Sequence, residues 1–234
     1  MSETGFCSRR EADRLIESGK VKVNGKVVGL GVQVTAHDRI EVDGQLVTKE
    51  VPNIYLAFHK PVGITCTTDT SKKDNIVDYI NFPERIFPIG RLDKPSEGLI
   101  FMTNDGDIVN KILRAGNQHE KEYIVNVNRK ITQAFIRQMS NGVPILDTVT
   151  KKCRVERIND FTFNIVLTQG LNRQIRRMCS HLGYEVTRLK RVRIMNIKLG
   201  KLKRGEYRHF TPGELKEINR LVANSSKTEE ASED

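Results

Sequence analysis

The chain has 234 residues, which allows one large domain or a small domain joined to a medium one. Lys and Arg outnumber Asp and Glu by 39 to 29, and the resulting net charge of +10 favours polyanionic partners. No apolar stretch approaches the roughly 20 residues of a membrane helix, the N-terminus lacks a signal-peptide pattern, and the four cysteines lack zinc or redox spacing, so we expect a cytoplasmic protein with no membrane partner and no structural metal.

Residues 1–48 have the pattern of a small module with one helix and two hairpins. Ser8 followed by Glu11 has the form of a capping box, so we expect a helix to begin after Ser8. The dipeptides Asn24-Gly25 and Asp43-Gly44 each lie between apolar segments, and each predicts a tight β-turn.

This module is rich in basic residues. Its predicted helix carries Arg9, Arg10 and Arg14 away from the apolar side, and three lysines follow within twelve positions. A solvated helix face explains such charges in many proteins. Six basic residues on so small a module, beside a tight hairpin, favour contacts with a phosphate backbone, and we predict that these three arginines bind RNA.

The remainder divides into three parts. Residues 49–53 are polar and contain Pro52, so they predict a linker. Residues 54–223 predict one α+β domain, and the acidic residues 224–234 predict a disordered tail. The domain's strand patterns outnumber its helical patterns at 106–114, 132–140, 173–182 and 212–223, which favours a mixed, largely antiparallel sheet flanked by helices.

Two strand patterns are clear. Tyr123, Val125 and Val127 alternate with polar residues, and so do Phe161, Phe163, Ile165 and Leu167. A third segment, 99–102, is continuously apolar and predicts a buried strand. The loop before it contains the charged residues Arg91, Asp93, Lys94 and Glu97 between glycines and a proline. A carboxylate on such a loop suits catalysis, although composition alone favours an ordinary polar turn.

A resemblance to a known protein family favours the catalytic interpretation of this loop. Gly90-Arg91-Leu92-Asp93, followed by Ser96, Gly98, Leu99 and Thr103, resembles the central motif of pseudouridine synthases. Lys60-Pro61-Val62-Gly63, Lys121-Glu122-Tyr123 and the segment 172–178 resemble three further motifs of that family. The segment 7–25 resembles the alpha-L RNA-binding module, named for ribosomal protein S-four. Family members usually begin with an additional basic segment, so we expect either a truncated start or an abbreviated module here.

The combination of these two domains resembles the RsuA-like branch of bacterial ribosomal RNA pseudouridine synthases over residues 5–223. One departure is His59, where Asn is frequent in the family, and we expect a structural role for this histidine. The resemblance implies a pseudouridine synthase fold and the isomerisation of uridine, in which uracil leaves ribose, turns, and rejoins through carbon-5. This reaction needs neither a cofactor nor a metal.

The resemblance also assigns roles to individual residues. Asp93 is expected to act at the anomeric carbon, either as a nucleophile or by steering elimination. Arg176 is expected to hold Asp93 with two hydrogen bonds and to keep it ionised, the alternative being a phosphate contact. Tyr123 is expected to stack on uracil and to assist removal of the carbon-5 proton, the alternative being core packing. Leu199 or a neighbour is expected to add an apolar wall.

The remaining expectations concern the substrate. Arg91 is expected to fill the gap left by the flipped nucleotide or to contact a phosphate. The other predicted RNA-binding residues of the catalytic domain are Lys60, Arg173, Arg177, Arg188, Lys190 and Arg191. The target implied by the resemblance is 23S ribosomal RNA near the peptidyl transferase region, naked or in an assembly intermediate, and we expect the enzyme to be a monomer.

Two other functions fit parts of the sequence. A non-catalytic RNA-binding or ribosome-assembly protein would need only the N-terminal module. A glycoside hydrolase would use Asp93 and Glu97 as its carboxylate pair, but four positions on one loop support a fixed spacing poorly. The absence of Trp and an aromatic fraction of 6% also argue against a carbohydrate site.

Overall fold

The computed structural model describes residues 1–35, 37–48, 52–113 and 119–223. These residues form six α-helices, one short 3-10 helix and fifteen strands, which confirms the α+β class. Most of the predicted linker and all of the predicted tail at 224–234 lie outside the described residues. None of the described helices has the length and apolar character required to cross a membrane.

The N-terminal module contains one helix and two hairpins, as predicted. Ser8 caps the helix by accepting a hydrogen bond from the Glu11 amide. Asn24 and Gly25 both have positive φ angles, 51° and 82°, as a primed two-residue turn requires. The elements are a 3-10 helix at Ser2–Thr4, α1 at Arg9–Glu17, β1 at Val21–Val23, β2 at Lys26–Val27, β3 at Ile40–Val42 and β4 at Gln45–Leu46, and the four strands pair in the order β2-β1-β3-β4.

The larger part of the chain is built on one extended sheet. Its strands are β5 at Tyr55–Lys60, β6 at Phe87–Ile89, β7 at Glu97–Thr103, β8 at Lys121–Val127, β11 at Arg154–Asn159, β12 at Thr162–Leu167, β13 at Val186–Ile194, β14 at Ile197–Lys198 and β15 at Tyr207–His209. A separate hairpin consists of β9 at Pro144–Ile145 and β10 at Thr148–Val149.

Five helices accompany this sheet. They are α2 at Ile76–Ile80, α3 at Gly106–Leu113, α4 at Gln133–Asn141, α5 at Gln174–His181 and α6 at Pro212–Val222. Four of them match the predicted helical patterns to within one residue at each end. The fifth, α2, was not predicted, because five residues are too few to show a helical period.

The sheet runs in the order β11-β12-β8-β13-β7-β5-β15, with β14 beside β13 and β6 beside β7. All its pairs are antiparallel except β13 with β7, so the prediction of a mixed, largely antiparallel sheet is confirmed. Apolar clusters cover both of its faces. In β7, Ile100 and Met102 face the larger cluster while Leu99 and Phe101 face the smaller one, as the two-residue period of a strand requires.

One predicted strand residue is misplaced. Phe161 was expected to continue the buried alternation of Phe163, Ile165 and Leu167, but it lies in the turn between β11 and β12 and is half exposed. The Val127 amide donates a hydrogen bond to its carbonyl, so the backbone at Phe161 is held although the ring is not buried.

The parallel contact between β7 and β13 depends on Gly98. Gly98 is the register partner of Arg191 and has a φ of 114°, a conformation that favours glycine. A Cβ at this position would overlap the backbone carbonyl of Arg191 and lie 2.5 Å from its amide nitrogen. No side chain fits between the two strands here.

We therefore expect Gly98→Ala to lower the free energy of unfolding by at least about 3 kcal/mol, because backbone strain and a backbone overlap act together. The measurement is urea denaturation followed by circular dichroism. Gly106→Ala is the matched control, since its Cβ would meet open space at the start of α3. Similar stabilities for the two variants would contradict the proposed role of the Gly98 contact.

Candidate active site

A cavity of about 570 Å³ opens beside the loop that precedes β7. Its walls come from that loop, from β8, from α5 and the loop before it, and from β13. It brings together six of the residues singled out in the sequence, namely Arg91, Asp93, Tyr123, Arg173, Arg176 and Arg191. A volume of this size suits a flipped nucleotide.

The loop that carries Asp93 is fixed by hydrogen bonds on both sides of the carboxylate. The Cys66 thiol donates to the Leu92 carbonyl at 3.2 Å and accepts from the Leu92 amide at 3.4 Å. The Lys94 carbonyl accepts from the Gly63 amide at 2.8 Å. The Asp93 side chain itself remains 33% exposed. The loop therefore holds the backbone in place and leaves the carboxylate open to the cavity.

The contact between Arg176 and Asp93 is looser than the sequence predicted. Arg176 Nε lies 3.9 Å from Asp93 Oδ2, which is an ion-pair distance and not a pair of hydrogen bonds. The terminal nitrogens of the guanidinium instead donate to the carbonyls of Val186 and Pro95 and to the Ser96 hydroxyl, at 3.1–3.2 Å. The two-hydrogen-bond geometry is thus wrong for this structure, because those nitrogens already bind the loop and β13.

The charge of Arg176 is affected by its surroundings. Burial lowers the pKa of the guanidinium, the neighbouring Arg173 lowers it further, and Asp93 opposes both effects. Arg176 Nε is buried and has no hydrogen-bond partner among the described residues. Arg176 therefore joins α5 to the Asp93 loop and directs one unused N–H group towards this part of the site.

Tyr123 lies between the core and the cavity. Its side chain is largely buried in the larger apolar cluster and also lines the cavity wall. The guanidinium carbon of Arg191 lies 6.0 Å from the centre of the Tyr123 ring. The position is compatible both with core packing and with contact to a base inside the cavity, so both interpretations of Tyr123 retain structural support.

Two predicted RNA-binding residues, Lys60 and Arg191, are buried, which argues against the expected contact with the RNA backbone. Lys60 is fully buried, and its ammonium donates hydrogen bonds of 2.8 Å to the carbonyls of Pro61 and Ile64. Arg191 is also buried, and its Nε donates to the Leu99 carbonyl at 2.6 Å. Both lie on central strands of the sheet, so neither side chain reaches the outer surface where an RNA backbone would run.

The other predicted RNA contacts are more accessible. Arg91 and Arg173 are exposed on the cavity lining, and Arg9, Arg10 and Arg14 are exposed on α1. Arg177 is exposed, bonds to Asn172 and does not line the cavity. Arg188 is half exposed and Lys190 is partly buried, and neither lines the cavity.

Sequence reasoning missed Lys121. This side chain is largely buried and lines the cavity, and burial followed by the charge of Arg191 lowers the pKa of its ammonium to about 8. The alternation of Tyr123, Val125 and Val127 already placed Lys121 on the same strand face. Leu199, expected as an apolar wall, packs in the smaller core instead, while Leu167, Leu189 and Ile194 supply apolar lining.

Glu97 does not form a carboxylate pair with Asp93. It is buried at the start of β7, outside the cavity lining, with Arg188 at 2.5 Å and Arg204 at 2.9 Å. Burial would raise the pKa of this carboxyl, but the hydrogen bond and charge of Arg188 bring it below its ordinary value. The carboxylate pair that a glycoside hydrolase requires is therefore not assembled in the cavity.

His59 has a structural environment, as expected. Its Nδ1 lies 2.8 Å from the Leu202 carbonyl, and burial lowers the pKa of the imidazole. It does not line the cavity.

Comparison with known proteins gives a consistent result. The family model described as RNA pseudouridylate synthase matches residues 54–181, and the S4 domain matches residues 1–40. The chain belongs to the RNA pseudouridylate synthase family. It is 58% identical over 228 residues to the dual-specificity RNA pseudouridine synthase RluF of Escherichia coli (strain K12), covering 97% of this chain and 79% of that protein.

More distant members agree. The ribosomal large subunit pseudouridine synthase B of Bacillus subtilis (strain 168) is 36% identical over 95% of this chain and 94% of its own length. A crystal structure of a pseudouridylate synthase superposes with a TM-score of 0.68 at 28% identity, covering 94% of this chain and 96% of that one. The chain is therefore an RNA pseudouridine synthase in which an S4 domain precedes the catalytic fold.

The contacts of Arg176 predict its importance for stability. Arg176→Met is expected to lower the free energy of unfolding by about 2–3 kcal/mol, because three acceptors on the loop and β13 lose their donor. Arg177→Met, next to it on α5, should stay within about 0.5 kcal/mol, since that exposed side chain bonds to no described residue other than its neighbour Asn172. Denaturant titration of both variants measures the difference, and equal losses would rule out the anchoring role.

Lys60 predicts a specific dependence of stability on pH. Burial lowers the pKa of its ammonium to about 8, so the unfolded chain binds more protons than the folded one between about pH 8 and pH 10.5. The wild type should therefore gain about 2 kcal/mol relative to Lys60→Met between pH 7 and pH 10. The exposed Lys198→Met serves as control, and parallel pH profiles for Lys60→Met and the wild type would contradict the prediction.

Proposed function

We propose that this enzyme converts specific uridines of bacterial 23S ribosomal RNA to pseudouridine, near the peptidyl transferase region, with Asp93 as its catalytic carboxylate. The observation that carries the proposal is the shared cavity, where Asp93, Tyr123 and Arg176 meet in a member of the pseudouridine synthase family. The name of the Bacillus subtilis relative, a ribosomal large subunit enzyme, supports the choice of RNA.

The geometry suits the steps of this reaction. The target nucleotide flips out of its stack into the cavity, and Arg91, exposed on the loop two residues before Asp93, occupies the gap. Asp93 acts at the anomeric carbon while Arg176 orients the loop from behind. Tyr123 faces the base from the cavity wall and assists removal of the carbon-5 proton. All of these groups belong to the chain itself, and neither a cofactor nor a metal enters the scheme.

RNA binding is supported by exposed cations in two places. Arg91 and Arg173 lie beside the cavity, and the arginines of α1 lie on the S4 domain. Phosphate contacts from both domains fix the register of the RNA, while the flipped base provides selectivity. We assign 1–48 to the RNA-binding domain and 54–223 to the catalytic domain, and propose that the enzyme acts as a cytoplasmic monomer.

A non-catalytic RNA-binding or assembly role is the second candidate. The S4 domain alone would serve it. It gives no reason for an accessible carboxylate, an arginine and a tyrosine to line one cavity in the catalytic domain.

The deciding experiment measures tritium released from RNA labelled at carbon-5 of uridine. Wild-type protein should release tritium from 23S ribosomal RNA, and Asp93→Asn should be slower by at least about 1000-fold, since it removes the reacting group while keeping its shape. Glu217→Gln is the matched control, because this acid lies on the exposed side of α6 in an ion pair with Arg220. Its rate should equal the wild-type rate.

The outcomes separate the candidates. No release by the wild type from ribosomal RNA, assembly intermediates or transfer RNA would favour the binding-protein role. Release by Asp93→Asn at the wild-type rate would contradict the role of Asp93. Including transfer RNA also tests whether this chain shares the dual specificity named for its Escherichia coli relative.

A further inference from the structure

Two buried cations lie in the cavity wall without a carboxylate partner. Lys121 is 9% exposed and Arg191 is 4% exposed, and both line the cavity. Neither forms an ion pair with any residue that the structure describes. Burying a charge without a partner is unfavourable, so this arrangement calls for a ligand that supplies the missing negative charge.

The strand register places both cations beside Tyr123. Arg191 on β13 is the direct partner of Tyr123 on β8, and directly opposed residues share a sheet face. Lys121 lies two residues before Tyr123 on the same strand, so its side chain is on that face too. The sheet therefore brings an aromatic ring and two positive charges to one wall of the cavity.

On the opposite face of β8 and β13, by contrast, a partly buried cation has carboxylate partners. There Arg193 binds Glu122 at 2.7 Å and Glu120 at 2.8 Å, so this cation has two carboxylate partners. Glu122 on β8 and Glu120 just before that strand thus both pair with Arg193. Neither glutamate pairs with Lys121 or Arg191, although Lys121 lies between the two glutamates in the sequence and Arg191 is two residues before Arg193.

Arg191 is held in place with one donor left over. Its Nε donates to the Leu99 carbonyl, while its Nη2 is buried and has no hydrogen-bond partner among the described residues. The close approach of Gly98 fixes the Arg191 backbone. Lys121 makes one long contact, 3.5 Å from Nζ to the His119 carbonyl. Both groups thus retain donors for a ligand in the cavity.

We propose that Arg191 and Lys121 bind the carbonyl oxygens of the flipped uracil and stabilise the negative charge that uracil carries while it is detached from ribose. The inference rests on the proposed function. It adds two catalytic residues to the site, with Tyr123 holding the face of the ring and the two cations holding its edge.

The chemistry of the isomerisation creates this charge. When the bond between C1′ and N1 breaks, its electron pair stays on uracil and spreads over N1 and the two carbonyl oxygens, while Asp93 meets the electron-deficient C1′. Carbon-5 then bonds to C1′, loses its proton to a base, and N1 gains a proton, so no net oxidation occurs. Fixed cations at the carbonyl oxygens stabilise the charge most when it is fully developed, which accelerates the first step.

The test measures single-turnover tritium release and RNA affinity separately, in the full chain. Arg191→Gln should lower the single-turnover rate by about 100-fold or more, the usual effect of removing a donor to a developing anion. Lys121→Met should lower it by at least about 10-fold, and Arg191→Lys should retain an intermediate rate. The dissociation constant for RNA should stay within about twofold in each case. Lys198→Met, which removes an exposed lysine from the same sheet, should match the wild type.

A second measurement separates a chemical role from a structural one. Fluorine at carbon-5 withdraws electrons and makes uracil a better leaving group. The rate on RNA containing 5-fluorouridine should therefore depend less on the two cations. The variants should then lose less of their rate on this substrate than on uridine. The loss of 5-fluorouridine is measured by digesting the RNA and quantifying its nucleosides. A residue that only supports the fold would slow both substrates equally.

Each result decides the inference. Wild-type single-turnover rates in Arg191→Gln and Lys121→Met would overturn it while leaving the proposed function intact. Weakened RNA binding with an unchanged rate would overturn it in favour of a phosphate site. Equal losses on uridine and 5-fluorouridine would assign both residues a structural role, and no release by the wild type would remove the proposed function itself.

Discussion

The parallel contact between β7 and β13 is the constraint on which the rest of the site depends. It joins two antiparallel parts of the sheet, β11-β12-β8-β13 on one side and β7-β5-β15 on the other. The Asp93 loop enters β7, whereas Tyr123 lies on β8 and is paired with Arg191 on β13. The junction at Gly98 brings these two parts close together beside the cavity, because a side chain there would overlap the backbone of β13.

The distribution of charge follows from the same sheet. On one face, Arg193 is neutralised by two glutamates, and at the edge of the junction Glu97 is neutralised by Arg188 and Arg204. On the cavity face, Lys121 and Arg191 have no carboxylate partner among the described residues. Burial lowers the pKa of Lys121 to about 8, because it removes the water that would solvate the ammonium. An anionic reaction intermediate would therefore meet a positive wall that needs no reorganisation.

Local signals in the sequence predicted local structure well. The Ser8 cap, the Asn24-Gly25 turn and the helix periods depend on neighbours within a few positions, and the structure confirms them. The burial of Lys60 and Arg191 depends on strand order, which no local pattern contains, so the sequence did not reveal it. Arg176 bonds to Pro95, 81 positions away in the sequence, and to Val186, 10 positions away. Local patterns therefore could not predict the hydrogen bonds of its guanidinium either.

The loose contact between Arg176 and Asp93 is informative in itself. A carboxylate held by two hydrogen bonds would have both oxygens aligned with the guanidinium, and its approach to an anomeric carbon would require one of those bonds to break. Here the terminal nitrogens of the guanidinium donate hydrogen bonds to two backbone carbonyls, that of Pro95 in the loop and that of Val186 in β13. The Asp93 loop is thereby held through its backbone, while the carboxylate lies 3.9 Å from Arg176 and stays partly exposed. The contacts that fix the position of the loop are thus separate from the Asp93 carboxylate, whose oxygens stay accessible.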